Sequence, residues 1–117
     1  MKRGELWWAD LGAYRLREQT GRRPVVIWQS DRLTRALHSV LVVPLTTNLE
    51  RAHLAGTALI ESREGRPSQP SVALAFQMRA VPATCLTERI RILDVDEIEA
   101  LELATDEALG RADPEPG

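Results

Sequence analysis

Apolar positions cluster along this chain in short runs separated by polar stretches, and only near its C-terminus do they recur with a helical period. The segment Gly4–Asp10 (GELWWAD), ending at the turn-forming Leu11-Gly12, predicts a first strand. Tyr14 to Arg23 (YRLREQTGRR) has no periodicity and predicts a long surface loop. Pro24 opens the β-branched run PVVIWQS, a second strand with proline at its first position, where the missing N–H is tolerated. A helical turn capped by Ser30 or Asp31 is predicted over Asp31–Leu37. Ser39–Thr46 (SVLVVPLT) is apolar almost throughout and reads as a buried strand, with Pro44 forcing an edge or a bulge.

Beyond it, Thr47–Leu54 is a polar loop, Gly56–Glu61 a strand, and Ser62–Ser71 (SREGRPSQPS) a flexible loop. Ser71–Phe76 and the alternating Glu88–Leu93 (ERIRIL) bring the expected total to about six strands, with a helical turn over Pro82–Leu86 between the last two. One segment has a true helical signature. Asp94 with Glu97 at the third helical position forms a capping box. Val95, Ile98, Leu101, Thr105, Ala108 and Leu109 fall on one 3.6-period stripe, and Gly110 ends the helix. Short strands followed by one amphipathic helix predict a mainly β fold with α, a small, partly open barrel capped by that helix. A single domain is expected over residues 1–110, with 111–117 a disordered tail.

The chain's 117 residues suffice for one hydrophobic core. A single cysteine, Cys85, excludes an intramolecular disulfide and a Cys-rich zinc site together, and reads as a small buried hydrophobe. The two histidines, His38 and His53, lie far apart and in no ligand spacing, so no metal or other cofactor is expected. No apolar run approaches the ~18 residues that span a bilayer, and no signal peptide is visible, so a cytoplasmic protein is expected.

Charge changes the picture more. The net charge of −2 conceals an excess of six positive charges over residues 1–93, against a strongly acidic segment 94–117 with one base and nine acids. Thirteen of the 14 cations in the first part are arginine, whose planar fork suits bidentate phosphate contacts. Solvated surface is nevertheless the ordinary role of such side chains. No P-loop, nucleophile elbow or zinc-protease motif is present. What remains is a pair of polar loops at strand ends. If the second and third strands are neighbours, Arg23 and Thr46 lie at adjacent strand ends on one rim, where a guanidinium and a hydroxyl suit a phosphoryl oxyanion.

The order of these elements resembles the MazF/PemK group of toxin–antitoxin ribonucleases, over roughly Lys2 to Leu109. The matching residues are Gly4-Glu5-Leu6-x-Trp8-x-Asp10, the string Glu18-Gln19-x-Gly21-x-Arg23-Pro24-x-Val26, and Val43-Pro44-x-Thr46 with Thr47. Val72, and Gln77 with Arg79, follow. The resemblance implies an SH3-like barrel of the PemK/CcdB type, a homodimer that cuts single-stranded mRNA without a metal. The substrate's own 2′-hydroxyl would attack the adjacent phosphate, leaving a 2′,3′-cyclic phosphate and a 5′-hydroxyl.

The family's catalytic arginine and threonine fall on Arg23 and Thr46, and Gln19 and Gln77 match positions lining its RNA groove. Arg17, Arg22, Thr47, Asn48 and Arg79 complete the candidate substrate-binding set. A cognate antitoxin, presenting an acidic disordered segment to the same groove, is the implied protein partner. Arg17 stands where the family usually has a small hydroxyl residue, and Phe76 where it tends to have an acid. A base-stacking role is open to Phe76, but a core strand position is the simpler reading. Of Trp7 and Trp8, consecutive on a strand, one is expected in the core and the other at the surface, with Trp28 in the barrel interior. Two alternatives share the fold: a CcdB-like gyrase poison acting by protein contact, and an inactive homologue that binds antitoxin only.

Overall fold

A computed structural model of the chain describes residues 1–12 and 21–111. Among these, the strands are β1 (Glu5–Asp10), β2 (Arg22–Ile27), β3 (Ser39–Thr46), β4 (Thr57–Ile60), β5 (Ser71–Leu74), β6 (Arg79–Pro82) and β7 (Leu86–Ile92). The helices are α1 (Asp31–Ala36) and α2 (Val95–Ala108), with single 3₁₀ turns at Leu49–His53, Ala75–Gln77 and Ala83–Cys85. All strand pairs are antiparallel, in the order β4-β5-β3-β2-β1-β7, with β6 also on β3. The small, open, mainly β sheet with a C-terminal helix is the fold class the sequence predicts.

The near-continuous apolar runs of β2 and β3 are explained by burial on both faces. Alternation sends Val26, Val43 and Leu45 into one core with Leu6, Ile60, Ile90 and Leu101. It sends Val25, Ile27, Val40 and Val42 into a second core with Ala9, Leu11, Val81 and Leu86. A strand with two buried faces has no polar side to display. Trp28 joins the first core, as expected, and its indole N–H donates to Thr105 Oγ1 at 2.8 Å, tying β2's end to α2.

β5 and β6 are two lengths of one irregular strand running along β3. Ala73 opposes Leu45 and Arg79 opposes Val42, so six residue steps face three. The excess is taken up by the turn Ala75–Gln77. This explains two departures from expectation. The strand over Ser71–Phe76 stops at Leu74, and a seventh strand over Arg79–Pro82, whose RAVP sequence carries no strand signal, resumes the pairing. Phe76 is therefore not a core strand residue: it is 43% exposed, with the Arg51 guanidinium 5.9 Å from its ring centre. Pro44 sits in the interval between the two ladders, so the irregularity it predicts lies in its neighbour.

Other local expectations meet finer detail. Thr47–Leu54 contains the turn Leu49–His53, capped by Asn48 Oδ1, which accepts from the Glu50 N–H at 3.2 Å. Within the predicted loop 62–71, Arg63 and Arg66 pair across Glu64 and Gly65, both at positive φ, as in a tight two-residue hairpin turn. The capping box of α2 is present as predicted, with Glu97 N–H donating to Asp94 Oδ1 at 2.9 Å. Its buried stripe is Glu97, Leu101 and Ala104, whereas Val95 and Leu109 are exposed. The stripe is rotated from the one that apolarity alone selects because Glu97 is drawn inward. Its carboxylate receives Arg91 at 2.8 and 2.9 Å. Trp7 and Trp8 divide less sharply than expected: both are partly buried, Trp7 against the second core and Trp8 against the first.

Candidate active site

The geometry of the candidate site follows from register. Arg23 opposes Ala9 on one side. On the other, the β2–β3 ladder pairs Val25 with Pro44, Val26 with Val43 and Ile27 with Val42. Carried two residues further, that register sets Arg23 across from Thr46. Alternation puts both on the face of the sheet that buries Val25 and Val42, at the margin of the second core. Both residues are half-buried.

Thr46 is held by its own turn. Its Oγ1 accepts the Asn48 N–H at 3.2 Å, which leaves the hydroxyl proton available for donation to an anion. Asn48 is committed to capping through its side-chain oxygen, so its amide NH₂ is the group left to contact a ligand. Thr47 is exposed beside it. Short side chains that hydrogen-bond their own backbone are the usual means of building such a turn, and here they fix the direction of the strand's end.

Arg79 opposes Val42 and so lies on the same face as Thr46, four residues along β3, or about 13 Å at the usual rise per residue. Burial pushes its guanidinium below the ordinary arginine value. Gln77, exposed in the 3₁₀ turn, precedes it by two residues. Arg23, Thr46 and Arg79 thus form a cation–hydroxyl–cation row spread across three neighbouring strands, with Gln77 at its margin. Such a row can bind a run of phosphates and stabilise charge that develops on one of them.

Arg22 departs from this row. Its side chain donates to Glu88 at 2.8 Å and lies over the Trp8 ring, 4.7 Å from the ring centre. Arg17 and Gln19 lie outside the described residues. Among the described residues, no group of three or more His, Cys, Asp and Glu side chains is arranged to hold a metal, and no helix is long and apolar enough to cross a membrane. Cys85 is buried as expected, and desolvation, with a smaller contribution from Asp10, raises its thiol above the ordinary value.

Several motif residues prove architectural. Glu5 is buried and its carboxylate receives the Lys2 backbone N–H at 2.9 Å, the Trp7 indole at 3.0 Å and Arg89 at 3.1 Å. Burial pushes its pKa up, but these donors outweigh that and leave it below the ordinary value. Gly4 adopts φ of 90°, and a Cβ there would meet Ile98 Cδ1 at 2.7 Å. One group escaped the sequence reading. Arg66 and Arg89 border a cleft over Trp8. The alternation of ERIRIL was the only signal for Arg89, and nothing local marked Arg66.

With this geometry established, the chain's relatives can be identified. The sequence profile of the PemK-like, MazF-like toxins of type II toxin–antitoxin systems matches residues 2–109. The chain belongs to this family. The endoribonuclease MazF of Staphylococcus saprophyticus is 31% identical over 110 residues, covering 94% of this chain and 92% of that protein. A Staphylococcus epidermidis protein of the same name is 30% identical over the same shares. The family is therefore one of enzymes, as the resemblance implies. Solved structures share the fold. An endoribonuclease in complex with its cognate antitoxin from a mycobacterial species superposes with a TM-score of 0.76 at 21% identity, covering 99% of both chains. A MazE–MazF structure from Deinococcus radiodurans gives 0.74 at 16% identity, over 94% and 95%.

Proposed function

We propose that this chain is the toxin of a type II toxin–antitoxin pair, a single-domain, metal-independent endoribonuclease that cuts single-stranded mRNA at preferred sequences. Arg23 and Thr46 are its catalytic residues, and the observation that carries the reading is their register. Two strand ends bring a fixed cation and a hydroxyl to one face, with Arg79 further along it.

The chemistry asks for little more. The 2′-oxygen attacks the adjacent phosphorus, its proton is lost, and the P–O5′ bond breaks as the leaving oxygen gains a proton. The products are a 2′,3′-cyclic phosphate and a 5′-hydroxyl. Arg23 neutralises charge on the non-bridging oxygens of the phosphorane, and Thr46 donates its hydroxyl proton to one of them. A guanidinium titrates far above neutrality and is a poor base, so Arg23 acts by electrostatics. Gln77, Arg79, Asn48 and Thr47 line the path of the strand, and Arg22 serves from its position over Trp8; Arg17 and Gln19 complete the proposed substrate-binding set.

The acidic helix α2 lies against the face of the sheet opposite the Arg23–Thr46 row. A homodimer, a cytoplasmic location and a cognate antitoxin with an acidic segment complete the proposal. The mycobacterial endoribonuclease solved with its cognate antitoxin supports an antitoxin partner.

The test uses purified protein, a long single-stranded RNA and EDTA, with Arg23→Ala in parallel. Discrete cuts with 5′-hydroxyl ends are expected. Removing one such charge-stabilising group should slow cleavage by about 10²–10³-fold without unfolding the protein. A well-folded protein that cuts none of several RNAs would instead favour a gyrase-directed or antitoxin-binding protein.

A further inference from the structure

A second site lies on the opposite face of the sheet from the Arg23–Thr46 row. A cavity of about 190 Å³ opens there, floored by Trp8 and Ile90 and rimmed by Glu88, Arg89, Arg66 and Ser68. That volume is below the ~300 Å³ usual for drug-sized ligands and suits a single ring system. Its floor is the half-buried indole of Trp8, with the Arg22 guanidinium at 4.7 Å from the ring centre. Arg22 is in turn held by Glu88 at 2.8 Å.

The wall opposite is not a free loop. Arg91 donates to the Arg66 carbonyl at 2.7 Å and to the Glu61 carbonyl at 2.9 Å. Arg63 and Arg66 pair across the turn between them. The rim is thereby preorganised, and its polar side chains are those of Arg66, Ser68 and Glu88; the Arg89 side chain, opposite Trp7 and paired with Glu5 at 3.1 Å, turns to the other face.

We propose that this cleft is a base-binding subsite, in which one unpaired nucleotide of the RNA strand, a few positions from the cut, stacks on Trp8. Arg66 takes the phosphate beside it, and Glu88 accepts an exocyclic amino group of the base. This rests on the nuclease reading above and extends it to sequence preference. Continuity with the cutting site favours the RNA strand over an acidic peptide as its occupant. The connection to the cutting site is short. Trp8 opposes Pro24, and the next pair along the strands is Ala9 with Arg23.

The test is a binding cycle with the full chain and a 2′-O-methyl RNA spanning a mapped cut site, which binds but cannot be cleaved. One nucleotide at a time is made abasic, and affinity is measured by fluorescence polarisation for the wild type and for Trp8→Leu. One position is expected at which removing the base weakens wild-type binding about tenfold or more, yet has no further effect in Trp8→Leu. Trp8→Phe should restore the dependence. Arg66→Ser should lower the salt slope of binding by about one, with kcat unchanged and KM raised.

The proposal is overturned if no abasic position loses its effect in Trp8→Leu. It is equally overturned if Arg66→Ser leaves RNA affinity intact while weakening an acidic antitoxin peptide, which would make the cleft a protein site. Should Trp8→Leu fail to fold, Arg66→Ser decides alone. If the wild type cuts no RNA, the nuclease reading fails on its own. An intrinsic-fluorescence titration of the wild type and of Trp8→Phe with mixed-sequence 2′-O-methyl RNA then still decides the cleft, and equal quenching of the two, or none, overturns it.

Discussion

Replacing Arg91 with alanine is expected to be strongly destabilising although the residue lies outside the site. Arg91 and Glu97 are 11% and 5% exposed, and they meet through two hydrogen bonds of 2.8 and 2.9 Å. The same guanidinium reaches the carbonyls of Arg66, Glu61 and Ile92. Glu97 also accepts the backbone N–H of Asp94 at 3.0 Å and of Glu61 at 3.3 Å. One ion pair therefore joins β7, the start of α2 and the turn between β4 and β5.

Truncating the arginine leaves the Glu97 carboxylate buried without a cation, a loss of about 3–5 kcal/mol. At about 4 °C per kcal/mol for a chain of this size, Tm should fall by roughly 12–20 °C. Urea unfolding at pH 7 followed by circular dichroism measures the difference directly.

The pH dependence supplies a second, sharper check. In the wild type, burial pushes the Glu97 carboxyl up, but the bonds from Arg91 and the Asp94 backbone outweigh it and hold the group below its ordinary value. An acid depressed in the folded state contributes stability above its unfolded pKa, and that stability is lost as pH falls through the folded pKa. In Arg91→Ala the sign reverses, because desolvation then acts unopposed by the arginine and the folded protein binds the proton more tightly than the unfolded chain. The difference between the two proteins should therefore be largest near neutrality, begin to shrink above the ordinary carboxyl value of 4.5 as the folded mutant takes up its proton, and shrink further below it as the wild type loses its own stabilisation. A loss under 1 kcal/mol at pH 7, or one independent of pH, would refute the reasoning.

Three further outcomes follow from local geometry. Gly4→Ala should destabilise by more than ~1 kcal/mol in the same unfolding assay, since a Cβ at φ of 90° would lie 2.7 Å from Ile98 Cδ1. Asp94→Ala should cost about 1 kcal/mol through loss of the cap on α2, with Asp94→Asn retaining most of the stability. Cys85 should react with Ellman's reagent only on the timescale of unfolding, because it is buried and its thiol is shifted up. Rapid labelling of the native protein at pH 8 would contradict that.

The sequence by itself determined those elements whose signal is local. Ser39–Thr46 was legible as a buried strand because eight nearly apolar residues have no polar face to solvate. The start of α2 was legible because Asp94 and Glu97 satisfy backbone donors three residues apart. The pairing of Arg23 with Thr46 was legible only conditionally, on β2 and β3 being neighbours; the ladder through Val25 and Pro44 supplies that condition.

Tertiary structure decided what depends on a partner distant in the chain. β6 forms over RAVP because β3 offers it an edge, and its own residues state no preference. The buried stripe of α2 turns toward Glu97 because Arg91, on another element, compensates a charge that by sequence belongs at the surface. Trp8 becomes the floor of a cleft because that same arginine holds the Arg66 turn above it. Local propensity acts over a few residues, whereas burial, register and ion pairing are set by whichever side chains the completed sheet brings together.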